Sequence, residues 1–74
     1  MQTKNELTPV QAETLAFIKA HIDQHGYSPT FAEIAKAAEV NVNAAGQRIA
    51  QMVKKGVITK ADGIARSIRP VTHA

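Results

Sequence analysis

The apolar positions of this chain follow two rhythms, and the switch between them divides it into helices and a hairpin. From Val10 onward, apolar residues recur at Leu15, Phe17, Ile18 and Ile22, closer to a period of 3.6 than of 2, which predicts an amphipathic helix. Thr8-Pro9-Val10-Gln11 opens that helix. Thr8 supplies a hydroxyl cap, Pro9 has no N–H to leave unpaired, and Gln11 stands three residues after the cap, where it reaches back. Gly26 closes the helix, and Tyr27-Ser28-Pro29 is an extended connector, because the residue before a proline is pushed out of helical geometry. Thr30-Phe31-Ala32-Glu33 repeats the capping arrangement at the head of a short second helix with Phe31, Ile34, Ala35 and Ala38 on its apolar side. Glu39-Val40-Asn41 interrupts it. Asn41 then caps a third helix running through about Lys55, whose buried side is Ala45, Ile49, Met52 and Val53, and Gly56 ends it.

Beyond Gly56 the period shortens to that of a strand. Val57-Ile58-Thr59-Lys60 predicts a first strand, Asp62-Gly63 a tight turn, and residues 64–69 the return strand. A two-residue loop sets Val57 opposite Ile68 and Thr59 opposite Arg66, while Pro70 confines the return strand to an edge. The expected fold is mainly α with a small β-hairpin: one domain over residues 1–74, with an ordered core of about 7–71.

The second and third helices form a unit with a recognisable use. Small residues on the second helix let the third cross it closely, and Val40 plugs the corner. The third helix then stands proud of the surface, able to enter a major groove about 12 Å wide. At about 100° per residue, its outward side carries Asn43, Gly46, Gln47, Ala50, Gln51 and Lys54. That set contains no carboxylate to repel phosphate. Amides pair with the N6 and N7 edge of adenine, so Asn43 and Gln47 are candidate base readers. Gly46 is costly inside a helix by about 1 kcal/mol. Either its missing side chain lets the backbone sit deep in a groove, or it is a tolerated surface glycine.

Charge sharpens this picture. Residues 1–47 hold three lysines against five carboxylates, whereas residues 48–74 hold six basic groups against Asp62 alone. Such asymmetry suits a polyanion-binding face. Arg48 and Lys54 flank the outward side of the third helix, though Lys54 and Lys55 also favour the helix dipole where they stand. Arg66 and Arg69 on the hairpin suit phosphates or a minor groove, and Ser28 and Thr30, with the free N–H groups opening the second helix, form a further candidate phosphate contact.

Other chemistries find little support. The chain has no cysteine, hence no disulfide and no thiolate metal site. No Ser/His/Asp arrangement with credible spacing and no glycine-rich phosphate loop is present, so no enzyme activity, cofactor or small-molecule substrate is expected. His21 and His25 lie four apart on the first helix without an evident third metal ligand, and His73 sits in the tail. No apolar run of about 20 residues spans a bilayer, and residues 1–8 lack a signal-peptide core. The reading is a soluble cytoplasmic protein, associated with a bacterial or phage nucleoid.

These residues in this order resemble the N-terminal DNA-binding domain of the LexA repressor family. The resemblance runs from Leu7-Thr8 through Gly26-Tyr27-Ser28-Pro29-Thr30-Phe31-Ala32-Glu33-Ile34-Ala35, Asn43-Ala44-Ala45 and Lys55-Gly56-Val57-Ile58 to Gly63 and Ile68-Arg69. It implies a three-helix winged helix-turn-helix in which the third helix reads the major groove and the wing follows the backbone. It places Asn43, Gly46 and Gln47 at base-reading positions, and Arg66 and Arg69 in the wing. Family members carry acidic residues where this chain has Gly46 and Gln47, so their operator sequence is not implied. The turn before the third helix is one residue shorter here. The family's self-cleaving, dimerising domain lies outside the match. A sequence-specific regulator of double-stranded DNA, a small repressor pairing on a two-part operator, is the leading expectation. The rival is a winged-helix protein-interaction module, an inhibitor or adaptor; only a DNA reader needs Arg48, Arg66 and Arg69 on one continuous face. A piece of a larger regulator is compatible with the same residues.

Overall fold

The computed structural model describes residues 7–71, in the element order α1 (Pro9–His25), α2 (Phe31–Ala38), α3 (Val42–Lys55), β1 (Ile58–Thr59) and β2 (Arg69–Pro70). The caps form where the side chains demanded them. Thr8 Oγ1 accepts from Gln11 N at 3.1 Å while Gln11 Oε1 accepts from Thr8 N, and Thr30 and Glu33 reproduce the same box at the head of α2. Asn41 Oδ1 accepts from Ala44 N at 2.8 Å to start α3. Gly26 and Gly56 end α1 and α3 in the left-handed region at φ 82° and 83°. Glu39 ends α2 in the same region at φ 59°, a conformation that a side chain with Cβ adopts at some cost.

The core is one cluster contributed by every layer: Ile18 from α1, Ile34 and Ala35 from α2, Ala45, Ile49 and Met52 from α3, then Ile58 and Ile68. Leu15, Phe17, Ile22, Phe31, Val40 and Val57 pack around it, with Val40 at the α2–α3 corner. The buried arc is narrower than the apolar pattern predicts. Val10 and Val53, expected inside, are 47% and 36% exposed, and Ala38 is exposed too. The most closely packed helices are α2 and α3, the arrangement that lifts the far side of α3 clear of the domain.

The hairpin departs from expectation. Its ladder is short and antiparallel, with Ile58 opposite Pro70 and Thr59 opposite Arg69, extended by Val71 N donating to Val57 O at 2.9 Å. A turn does form at Asp62-Gly63, with Ile64 N donating to Ala61 O at 3.3 Å, but it does not close a two-residue hairpin, and the register of Val57 against Ile68 and Thr59 against Arg66 is not made. Residues 60–68 make a long loop instead, because Ser67 and Arg66 spend their hydrogen bonds elsewhere. Ser67 Oγ accepts from Ala61 N at 3.1 Å and donates to Ile64 O at 2.7 Å, pinching the loop from within. Gly63 and Arg66 both take left-handed backbone, at φ 73° and 57°.

Candidate nucleic-acid interface

With Ala45, Ile49 and Met52 buried, the opposite arc of α3 carries Asn43, Gln47, Ala50 and Lys54, all exposed. Two flanks border that arc, and they differ in character. On one flank α3 leans on α1. Arg48 Nη1 donates to Thr14 Oγ1 at 3.4 Å, Gln11 Nε2 donates to Gln51 Oε1 at 3.3 Å, and Lys55 Nζ donates to Gln11 Oε1 at 2.5 Å. Arg48 is therefore half-buried against α1, away from the centre of the outward arc, while Gln51 remains exposed. Gln11 and Thr14, each 5% exposed, are polar residues that the apolar pattern missed. Both are satisfied: Thr14 Oγ1 donates to Val10 O at 2.9 Å, and no buried side-chain polar atom among the described residues lacks a partner.

The other flank of α3 meets the start of α2. Gly46 belongs here and not at the middle of the outward face: it is half-buried, with Cδ2 and Cε2 of Phe31 each 3.6 Å from where a Cβ would stand.

Two candidate phosphate contacts have structural duties that sequence did not disclose. Ser28 is 0% exposed, and its Oγ accepts from the buried Ile68 N at 3.2 Å, so its hydroxyl is withheld from any ligand. Arg66 is gripped by the helices. Its Nη1 and Nη2 donate to the two carboxylate oxygens of Glu33 at 3.0 and 3.1 Å, Nη1 also donates to Ser28 O at 3.1 Å, and the guanidinium lies 4.6 Å from the Tyr27 ring centroid. Such a two-pronged arginine–carboxylate pair fixes direction as well as distance. The same Glu33 caps α2 by accepting from Thr30 N at 2.9 Å. The Glu33 carboxylate thus occupies the Thr30 N–H, and the Thr30 hydroxyl is committed to the cap. The Arg66 hydrogen bond and then the Thr30 N–H hold the Glu33 carboxyl down at about 2, and the pairing holds the Arg66 guanidinium above its ordinary value.

His21 joins this cluster from α1. Its Nδ1 donates to Tyr27 O at 3.0 Å, its Nε2 stands 3.6 Å from Glu33 Oε1, and its ring touches those of Phe17, His25 and Tyr27. The imidazole braces the connector between α1 and α2, and no group of three His, Cys, Asp or Glu among the described residues is arranged to hold a metal. His73 lies outside the described residues. Arg69 is exposed on β2. Lys60 pairs with the fully exposed Asp62 at 3.1 Å and stands 5.8 Å from the Phe31 ring centroid. Among the described residues no helix is long and apolar enough to cross a membrane.

Residues 4–67 match the model of the LexA DNA binding domain. Among curated proteins the chain is similar to the LexA repressor of Pseudomonas chlororaphis, 45% identical over 65 residues, which cover 86% of this chain and 32% of that protein. It is also similar to the LexA repressor of Aeromonas hydrophila subsp. hydrophila, 47% identical over 64 residues covering 85% and 31%, and to that of Pseudomonas aeruginosa, 43% identical over 65 residues. The chain spans about a third of the length of these relatives. Three capped helices followed by an antiparallel wing, with a match over nearly the whole chain, give one conclusion: the protein belongs to the LexA DNA-binding domain family and has its winged helix-turn-helix fold.

Proposed function

We propose that this chain is the operator-reading part of a transcriptional repressor, binding double-stranded DNA with α3 in the major groove and the wing along the sugar–phosphate backbone. The observation that carries the reading is the exposed arc of α3. Asn43 and Gln47 stand outward on a helix that places no carboxylate on that side, bordered by Gln51 and Lys54. Amides discriminate base edges and lysine neutralises phosphate, so one surface has both selectivity and affinity. In this reading Asn43 and Gln47 contact bases, and Gly46 lets a neighbour approach them. Gln51, Lys54 and Arg69 contact the backbone, and Arg48 reaches it from the α1 flank. Arg66 acts from behind, holding the loop against α2 through Glu33. One winged helix makes few contacts, so two copies pair on a two-part operator. The site of action is the cytoplasm, on a bacterial or phage chromosome.

Selection from a random duplex pool tests this directly. The expected result is an enriched motif with a two-fold repeat, bound with an affinity that falls steeply as salt rises because bound counterions are released. A pool that yields no enriched sequence and no salt-sensitive retention overturns the reading and favours the protein-docking alternative.

A further inference from the structure

Position 46 of α3 has no side chain of its own, and the space beside it is taken by the first residue of α2. The Phe31 ring lies 3.6 Å from where the Gly46 Cβ would be, by two of its carbons along one edge. Phe31 is half-buried. It packs against the core and also lines an open cleft of about 350 Å³ shared with Lys60, Gly63, Ile64 and Ala65 of the wing loop. Gly46 is one helical turn from Asn43 and from Ala50, so the ring adjoins the row of residues on the reading arc. Lys60, paired with Asp62, lies 5.8 Å from the ring centroid.

An apolar ring edge on a helix flank has one apolar counterpart in the major groove, the C5-methyl of thymine. We propose that Phe31 is a specificity-determining residue that reads a thymine methyl at the border of the half-site, in the space that Gly46 leaves open on α3. This rests on the DNA-reading role above. A longer side chain at position 46 would cover this edge of the ring; glycine leaves it open for the second helix to supply a base contact beside the third.

The test uses the duplex recovered by the random-pool selection, with each thymine replaced in turn by deoxyuridine, which removes only the methyl. Binding is measured by fluorescence anisotropy for the native chain and for Phe31→Ala. One replacement is expected to weaken the native chain about fourfold, the value of burying a single methyl, and to leave Phe31→Ala unaffected. In the native complex the same thymine methyl is expected to give a nuclear Overhauser contact to the Phe31 ring protons, a readout that does not depend on the variant folding. Native binding indifferent to every replacement, an equal penalty in folded Phe31→Ala, or no ring-to-methyl contact overturns the proposal. An enriched motif with any of these results sinks only the role of Phe31, whereas a pool with no motif sinks the DNA-reading role itself.

Discussion

Replacing Ser28 with alanine separates two accounts of that residue. By its place before the second helix it reads as a phosphate contact; in the fold it is 0% exposed and holds the Ile68 N–H at 3.2 Å. Serine and alanine share a Cβ, so the substitution removes one hydroxyl and little volume. What it leaves is a buried backbone donor without its acceptor, which costs about 1–3 kcal/mol. A domain of this size has on the order of 5–15 kcal/mol in total, and each kcal/mol moves its melting temperature by about 4–8 °C. Ser28→Ala should therefore melt at least about 4 °C below the native chain in a circular-dichroism scan. Below its melting point it should bind DNA with an unchanged salt dependence, because no ion pair with phosphate has been removed. A phosphate contact predicts the reverse: an unmoved melting temperature and a shallower salt slope or weaker binding. That outcome would refute the argument from burial.

Gly46→Ala should stabilise the chain by about 1 kcal/mol through helix propensity, since the added Cβ meets Phe31 at 3.6 Å, ordinary contact distance; a lowered melting temperature would show that the ring cannot yield. The Glu33 carboxyl sits at about 2 in the folded chain against an ordinary 4.5, so its contribution to stability is complete above about pH 4.5 and is lost as pH falls through about 2. The melting difference between native and Glu33→Gln should accordingly be widest near neutrality and close towards pH 2, and a difference that widens on acidification would contradict the pairing with Arg66. Gln47→Ala should cost about 1–3 kcal/mol of discrimination at one base pair while sparing nonspecific binding. Lys54→Ala should weaken all duplexes alike and lower the salt slope by about 1; exchange of these two behaviours between the residues would mean that the arc is assigned the wrong way round.

The helices were legible in the sequence because their signals are local. A threonine with Gln or Glu three residues on, an asparagine before an apolar run and a glycine after it each act within one turn, and Thr8, Thr30, Asn41, Gly26 and Gly56 all cap as expected. Burial was legible only at its centre. Ile18, Ile34, Ile49 and Met52 are inside, but a domain this small encloses a narrow arc of each helix, leaving Val10, Ala38 and Val53 outside. Gln11 took the opposite course. Its capping role was evident, yet its burial depends on Gln51 and Lys55, forty and forty-four positions away, which no periodicity connects to it.

The wing shows why part of the site was hidden. Asp62-Gly63 does turn, but the strand register that a two-residue loop would impose gives way to contacts that local reasoning cannot weigh: Arg66 on Glu33 and Ser28, and Ile68 on the Ser28 hydroxyl, spanning 33 to 40 residues of chain. The consequence reaches the charge argument. Counted along the sequence, Arg66 adds to a basic C-terminal third; in the fold its charge is met by the carboxylate that also caps α2. Lys60 is likewise paired, with Asp62. If α3 reads DNA as proposed, the positive charge for a phosphate backbone would come from Lys54 on the last turn of α3 and Arg69 on β2, with Arg48 on the α1 flank. In the proposed complex, a duplex steered by that distribution would meet the C-terminal half of α3 through ion pairs and its N-terminal half through Asn43, Gln47 and the Gly46–Phe31 flank. On that reading the amides of α3 set sequence preference while Lys54, Arg48 and the β2 residue Arg69 set affinity, so substitution in either group should change one property with little effect on the other.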